Sequence, residues 1–81
     1  MGSIDSANVS PREIIKAALQ LNARSLIVAH NHPSGVATPS EQDIHITKVL
    51  MSALKLVDIK LLDHMVIGHN DIISMAHEHL I

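Results

Sequence analysis

The sequence predicts an α/β fold in layers, with elements in the order α-β-α-β-β and helices packed on a mixed sheet. Two observations carry this. Two stretches space their apolar residues as one face of a helix does, and each opens with a serine followed three residues later by an acid. Between and after them come apolar runs too short for helices and bounded by turn residues.

Residues 1–9 show no periodic pattern and are expected to be loop. Ser10-Pro11-Arg12-Glu13 reads as a capping box with proline at the first helical position. Ile14, Ala17, Ala18 and Leu21 follow at helical spacing, which predicts a helix over about 11–22 that closes at Asn22. Ser25 then leads into Leu26-Ile27-Val28-Ala29, a continuous apolar run that predicts a strand buried on both faces. Pro33, Gly35 and Pro39 make 30–39 a loop. Ser40-Glu41-Gln42-Asp43 caps a second helix running to about residue 56. Its inner stripe is expected to be Ile46, Val49, Leu50, Ala53, Leu54 and Val57. Residues 59–62 and 65–68 read as strand, either one bent at Asp63-His64 or two. Asn70-Asp71 signals a turn, Ile72-Ile73-Ser74-Met75 a last strand, and 76–81 a short tail.

Composition narrows the class. The chain is 47% hydrophobic and 17% charged, which excludes a disordered segment. It has no aromatic residue, so the core is aliphatic with methionine as filler, and base-stacking platforms are missing. A net charge of -2 also argues against direct nucleic-acid contact. With no cysteine, disulfides and thiolate metal ligands are excluded, and a reducing compartment fits. No apolar run spans a bilayer and no signal-peptide pattern opens the chain, so a cytoplasmic protein without a membrane partner is expected. Asn8-Val9-Ser10 matches the glycosylation triplet by chance. With 81 residues the chain is one domain or part of one, with a modest core.

The unusual feature is histidine, seven in all. His30 and His32 are one residue apart at the end of the first strand, so their side chains fall on the same side. Asp43 follows in the first turn of the second helix, beyond a turn-rich loop, where its carboxylate can reach back to the strand end. Two imidazoles and a carboxylate are three protein ligands, the catalytic zinc arrangement in which a fourth position stays open for water. Such a site lowers the pKa of that water to about 7. The donor set suits zinc without excluding other transition metals. A lone H-x-H motif is weak evidence, and Ser40 with Asp43 also fits a plain helix cap.

Taken together, His30-Asn31-His32-Pro33-Ser34-Gly35 and then Pro39-Ser40-x-x-Asp43-x-x-x-Thr47 resemble the signature of the RadC-like proteins, a bacterial branch of the JAMM (MPN-plus) metallopeptidase superfamily. Pro11-Arg12-Glu13, Ala29, Leu62-Asp63-His64 and Val66-Ile67-Gly68 agree with the same family, so the likeness runs from Gly2 to Leu80. The resemblance implies a JAMM/cytidine-deaminase-like domain, with zinc held by His30, His32 and Asp43. It implies that Ser40 positions the metal's water or stabilises the oxyanion, and that the activity is hydrolysis of an amide or peptide bond by that water. Asn31 projects away from the ligands and is expected to hold the loop. Two other readings stay open: a non-catalytic accessory in DNA repair or recombination, and a relic whose metal site is structural.

The JAMM pattern also needs a glutamate as general base, within hydrogen-bond reach of the water. Glu13, Glu41 and Glu78 do not match its position, and in RadC-like proteins it precedes the stretch matching Gly2. Residues 1–81 are therefore expected to be a single RadC-like domain lacking its first strands and this glutamate. Such a piece is expected to bind metal weakly or in part, to hydrolyse little, and to pair with another copy through the uncovered sheet edge. A peptide or protein is the expected substrate. Among the other histidines, His64 is expected to be structural at a strand bend, with support of the metal site as the alternative. His45 is expected to be solvated, His69 to sit in a turn, and His77-Glu78-His79 to be a decoy without a third ligand.

Overall fold

A computed structural model of the chain describes residues 2–5 and 10–81. The elements are β1 (Gly2–Asp5), α1 (Pro11–Gln20), β2 (Ser25–Asn31), α2 (Glu41–Leu56), β3 (Lys60–Ile67) and β4 (Ile72–Ser74). The four strands form one sheet in the order β1-β2-β3-β4. The first three run parallel and β4 returns antiparallel. Two successive β-α-β crossovers therefore build the sheet in one direction, and right-handed crossovers of this kind lay both helices on the same face.

Both helices start where the serines indicate. Ser10 Oγ accepts the Glu13 N–H at 3.4 Å. At α2 the box is reciprocal: Ser40 Oγ accepts the Asp43 N–H at 3.0 Å, and the Ser40 N–H donates to the Asp43 carboxylate at 2.8 Å. Each helix ends beside a residue in the left-handed region, Asn22 at φ 53° and Asp58 at φ 59°. Asn and Asp tolerate that conformation, and the turns close through Ala23 N–H to Ala18 O and Ile59 N–H to Leu54 O.

The core joins Ile14 and Ala18 of α1, Leu26 and Val28 of β2, Leu50 and Leu54 of α2, and Ile59 and Leu61. Several expectations change here. Residues 2–5, expected as loop, form β1 and pair with Leu26 to Ala29; those of 6–9, with Asn8 and Val9, lie outside the described residues. Strand β2 is fully buried on one face only, with Leu26, Val28 and His30 inward and Ile27 and Ala29 half-buried behind them. The inward residues of α2 are Thr47, Leu50 and Leu54, whereas Ile46, Val49 and Val57 are exposed. Leu21, placed in the stripe of α1, is 69% exposed just beyond its end. Met75 follows β4 and is fully buried.

Residues 60–67 are one strand with a bulge rather than a bend. Leu26 pairs with Leu61, but the next residue, Ile27, pairs with Asp63, so Leu62 is an extra residue in β3. The bulge shifts the alternation by one. Leu61 is inward before it and His64 and Val66 are inward after it, opposite Val28 and His30. Without the bulge Asp63 and Met65 would face the helices. With it, His64 lies next to His30 beneath α2.

Candidate metal centre

The centre lies at the carboxyl end of β2, where open α/β sheets commonly bind ligands. His30 is the last inward residue of β2 and is 8% exposed. His32 sits two residues on, tied to the sheet by its N–H to Ile67 O at 2.9 Å. The two rings lie 4.7 Å apart and tilted by 58°. Asn31 is exposed between them, and the loop is held by other groups. Gly35 N–H donates to His32 O, Val36 N–H to Ser34 Oγ, and His69 N–H to Gly35 O.

Asp43 reaches this point because it is the third residue of α2. The capping box curls its side chain back over the helix start, toward the strand end. Oδ2 lies 3.1 Å from His32 Nε2, and Oδ1 lies 3.8 Å from His30 Nε2. One ligand atom from each of His30, His32 and Asp43 lies within 4.8 Å of the others, the one such group among the described residues. Burial raises the Asp43 pKa, but hydrogen bonding to the backbone and side chain of Ser40, the charge of His30 and the bond to His32 outweigh it. The net shift is downward, so Asp43 is a carboxylate at neutral pH.

Hydrogen bonding supplies the test of whether a cation fits. His32 Nδ1 lies 2.9 Å from Val36 O, which only accepts, so Nδ1 carries a hydrogen. In the neutral ring Nε2 then holds a lone pair, and it faces the Asp43 carboxylate. A lone pair against a carboxylate is repulsive unless a proton or a metal ion stands between them. Imidazole nitrogens and a carboxylate oxygen are the donor set for a borderline divalent ion, so the residues fit one.

Behind His30 stands His64, 7% exposed, with its Nε2 2.7 Å from His30 Nδ1. Its Nδ1 lies 2.6 Å from the hydroxyl of Thr47, which is 1% exposed and lies 2.6 Å from Asp43 O. Burial, then the charge of His30, lowers the His64 pKa to about 4 against the opposing pull of Asp43 and Asp63. His64 thus packs directly behind His30, just after a bulge in β3 rather than at a bend. Thr47 was visible in the motif without a role; its signal was a hydroxyl one helical turn after Asp43.

Ser40 is the N-cap of α2, with its Oγ accepting the Asp43 N–H. Glu13, Glu41 and Glu78 are exposed and do not belong to the three-residue group. His45, His69, His77 and His79 are also exposed; His69 packs its ring against Gly35 in the β3–β4 turn. A groove bordered by Leu19, Arg24, Val57 and Ile59 opens at the opposite ends of the parallel strands, away from this chemistry.

A mixed sheet with helices on one face thus carries, at its carboxyl end, two histidines and an aspartate able to hold a metal ion, as a JAMM-type domain would. Residues 1–80 match the RadC-like JAB domain, and the chain belongs to that family. It is 58% identical over 79 residues to a UPF0758 protein of Marinobacter nauticus, covering 98% of this chain and 35% of that protein. It is 56% identical over 81 residues to a UPF0758 protein of Marinomonas sp., covering 100% of this chain and 36% of the other. A UPF0758 protein of Vibrio atlanticus is 59% identical over 75 residues, which are 93% of this chain and 34% of the relative. The chain thus spans about a third of the length of these curated relatives.

Proposed function

We infer that the centre is the zinc site of a hydrolase that cleaves an amide or peptide bond. The observation that carries this is the convergence of His30, His32 and Asp43, with the Nδ1 hydrogen of His32 already committed to Val36 O. Zinc held there supplies a Lewis acid and lowers the pKa of a coordinated water to about 7. His30 and His32, whose Nε2 atoms face the Asp43 carboxylate, would hold the ion together with Asp43, which would add the negative charge. Ser40 Oγ accepts the Asp43 N–H, which leaves its hydroxyl hydrogen to donate to charge developing on a substrate oxygen. A glutamate from outside these 81 residues serves as general base, since Glu13, Glu41 and Glu78 lie apart from the group. The substrate is a peptide or protein, and the net charge of -2 disfavours direct contact with nucleic acid. A cytoplasmic location is supported by the absence of cysteine. No helix among the described residues is long and apolar enough to cross a membrane. A second copy pairs through the outer edge of β1, which is an edge strand of the described sheet.

Amide hydrolysis by a zinc-loaded longer protein containing the upstream glutamate, measured beside the 81-residue chain, tests this. Activity in the longer protein, lost on His32→Ala and near zero in the short chain, is expected. Robust hydrolysis by the short chain overturns the assignment of the base. Zinc binding without hydrolysis in either protein favours the structural-metal or repair-accessory reading.

A further inference from the structure

We propose that Thr47 and His64 are positioning residues that fix His30 in the tautomer presenting Nε2 to the metal. The inference rests on His30 being a ligand, but its own evidence is a hydrogen-bond chain whose direction can be read from one end. That end is Asp43 O, a carbonyl oxygen that only accepts. Thr47 Oγ1 lies 2.6 Å from it, so the hydroxyl hydrogen must lie between the two oxygens. Thr47 has no second hydrogen to give, so at 2.6 Å from His64 Nδ1 its oxygen accepts. His64 is therefore protonated at Nδ1.

The buried ring of His64 meets Thr47 and His30 through its two nitrogens, and with its hydrogen on Nδ1 the neutral ring carries its lone pair on Nε2. That lone pair is 2.7 Å from His30 Nδ1, which must then be the donor. With its hydrogen on Nδ1, His30 holds its lone pair on Nε2, the nitrogen that faces Asp43. Three side chains and one carbonyl thus settle which nitrogen of His30 coordinates. His32 reaches the same tautomer separately, through Val36 O. The bulge at Leu62 is what permits the relay, because it turns His64 rather than Asp63 toward His30.

The relay also returns to its start. Its terminal acceptor is the backbone of Asp43, the residue whose side chain is the third ligand. One buried threonine therefore ties the helix that carries the carboxylate to the strand that carries the imidazole. A metal ligand's outer nitrogen is usually held by a carboxylate, a carbonyl or water, and removing such a partner typically weakens metal binding by roughly 10–100-fold. Here the partner is a second histidine.

The test begins on metal-free protein at pH 7.5 with ¹⁵N-labelled histidine. Long-range proton–nitrogen NMR is expected to show His30, His32 and His64 each protonated at Nδ1 and unprotonated at Nε2. His30 or His64 protonated at Nε2 overturns the relay, whether or not the chain binds metal. Zinc affinity then provides a second reading. Thr47→Val, which keeps the shape and removes the hydroxyl, is expected to weaken binding by roughly 10-fold or more and to redistribute the His64 and His30 tautomers, while Thr47→Ser restores both. Unchanged tautomers in Thr47→Val, or failure of Thr47→Ser to restore them in a folded protein, also overturns it. If Thr47→Val does not fold, the wild-type spectrum and Thr47→Ser still decide. Absence of zinc binding in wild type, with the Nδ1 tautomers intact, would remove the metal-site reading and leave the relay standing.

Discussion

Acid should destabilise the metal-free chain earlier than its carboxylates alone would, and His64 is the reason. An unfolded histidine titrates near 6.5, whereas His64 in the fold titrates at about 4 because it is buried beside His30. Between those values the unfolded chain takes up a proton that the folded chain refuses. The stability contributed by the neutral ring is therefore complete above pH 6.5, is lost as pH falls, and is gone near pH 4. The span from 6.5 to about 4, at about 1.4 kcal/mol per unit, gives at most about 3.5 kcal/mol. That is a large share of the ~5–15 kcal/mol typical of a domain. Asp43 acts in the same direction but lower: its depressed pKa contributes stability above 3.8 that is lost only as pH falls below that value. The two windows therefore separate. Urea unfolding in chelator at pH 7, 6, 5 and 4.5 reads the effect, with His64→Gln as the reference. The wild-type midpoint should fall through this range and the variant's should be much flatter. A flat wild-type profile, or the same slope in His64→Gln, would show that His64 does not set the acid sensitivity.

Other outcomes follow from packing and backbone. Leu54 is fully buried between α2 and the sheet, so Leu54→Ala should cost about 2–5 kcal/mol in chemical unfolding, while Leu56→Ala at an 88% exposed site should stay within about 0.5. Gly35 sits at φ +85°, and a Cβ there would lie 2.4 Å from His69 Nδ1. Gly35→Ala should therefore cost about 2 kcal/mol or more and weaken metal uptake by displacing the Val36 carbonyl from His32, as read by unfolding and calorimetry. Sedimentation at increasing concentration should show self-association through β1, and a strictly monomeric profile at high concentration would count against edge pairing.

The parts of this domain that a sequence announces are those set by local chemistry. The serine caps locate both helix starts to the residue, and Asn22 marks the end of α1, because a cap is a contact between residues three or four apart. The histidine pair and Asp43 converge for a similar reason: strand alternation aligns the two rings, and the capping box turns the carboxylate back. What stayed hidden depends on distant partners. Strand β1 has almost no apolar pattern in Gly-Ser-Ile-Asp and is defined by its parallel pairing with β2. Thr47 outranks Ile46 and Val49 for the buried side of α2, because the partner beneath is an imidazole that needs a hydroxyl. The orientation of His64 follows from an extra residue at Leu62, and a bulge leaves no mark on an apolar run such as Leu61-Leu62.

The most direct measurement is a calorimetric zinc titration of the metal-free chain, repeated on His30→Ala, His32→Ala, Asp43→Ala and His79→Ala. One ion per chain, of modest affinity, should bind to the wild type and to His79→Ala, and each of the other three substitutions should abolish it. No saturable binding in the wild type, or binding that survives Asp43→Ala and disappears in His79→Ala, would contradict a metal centre at the end of β2.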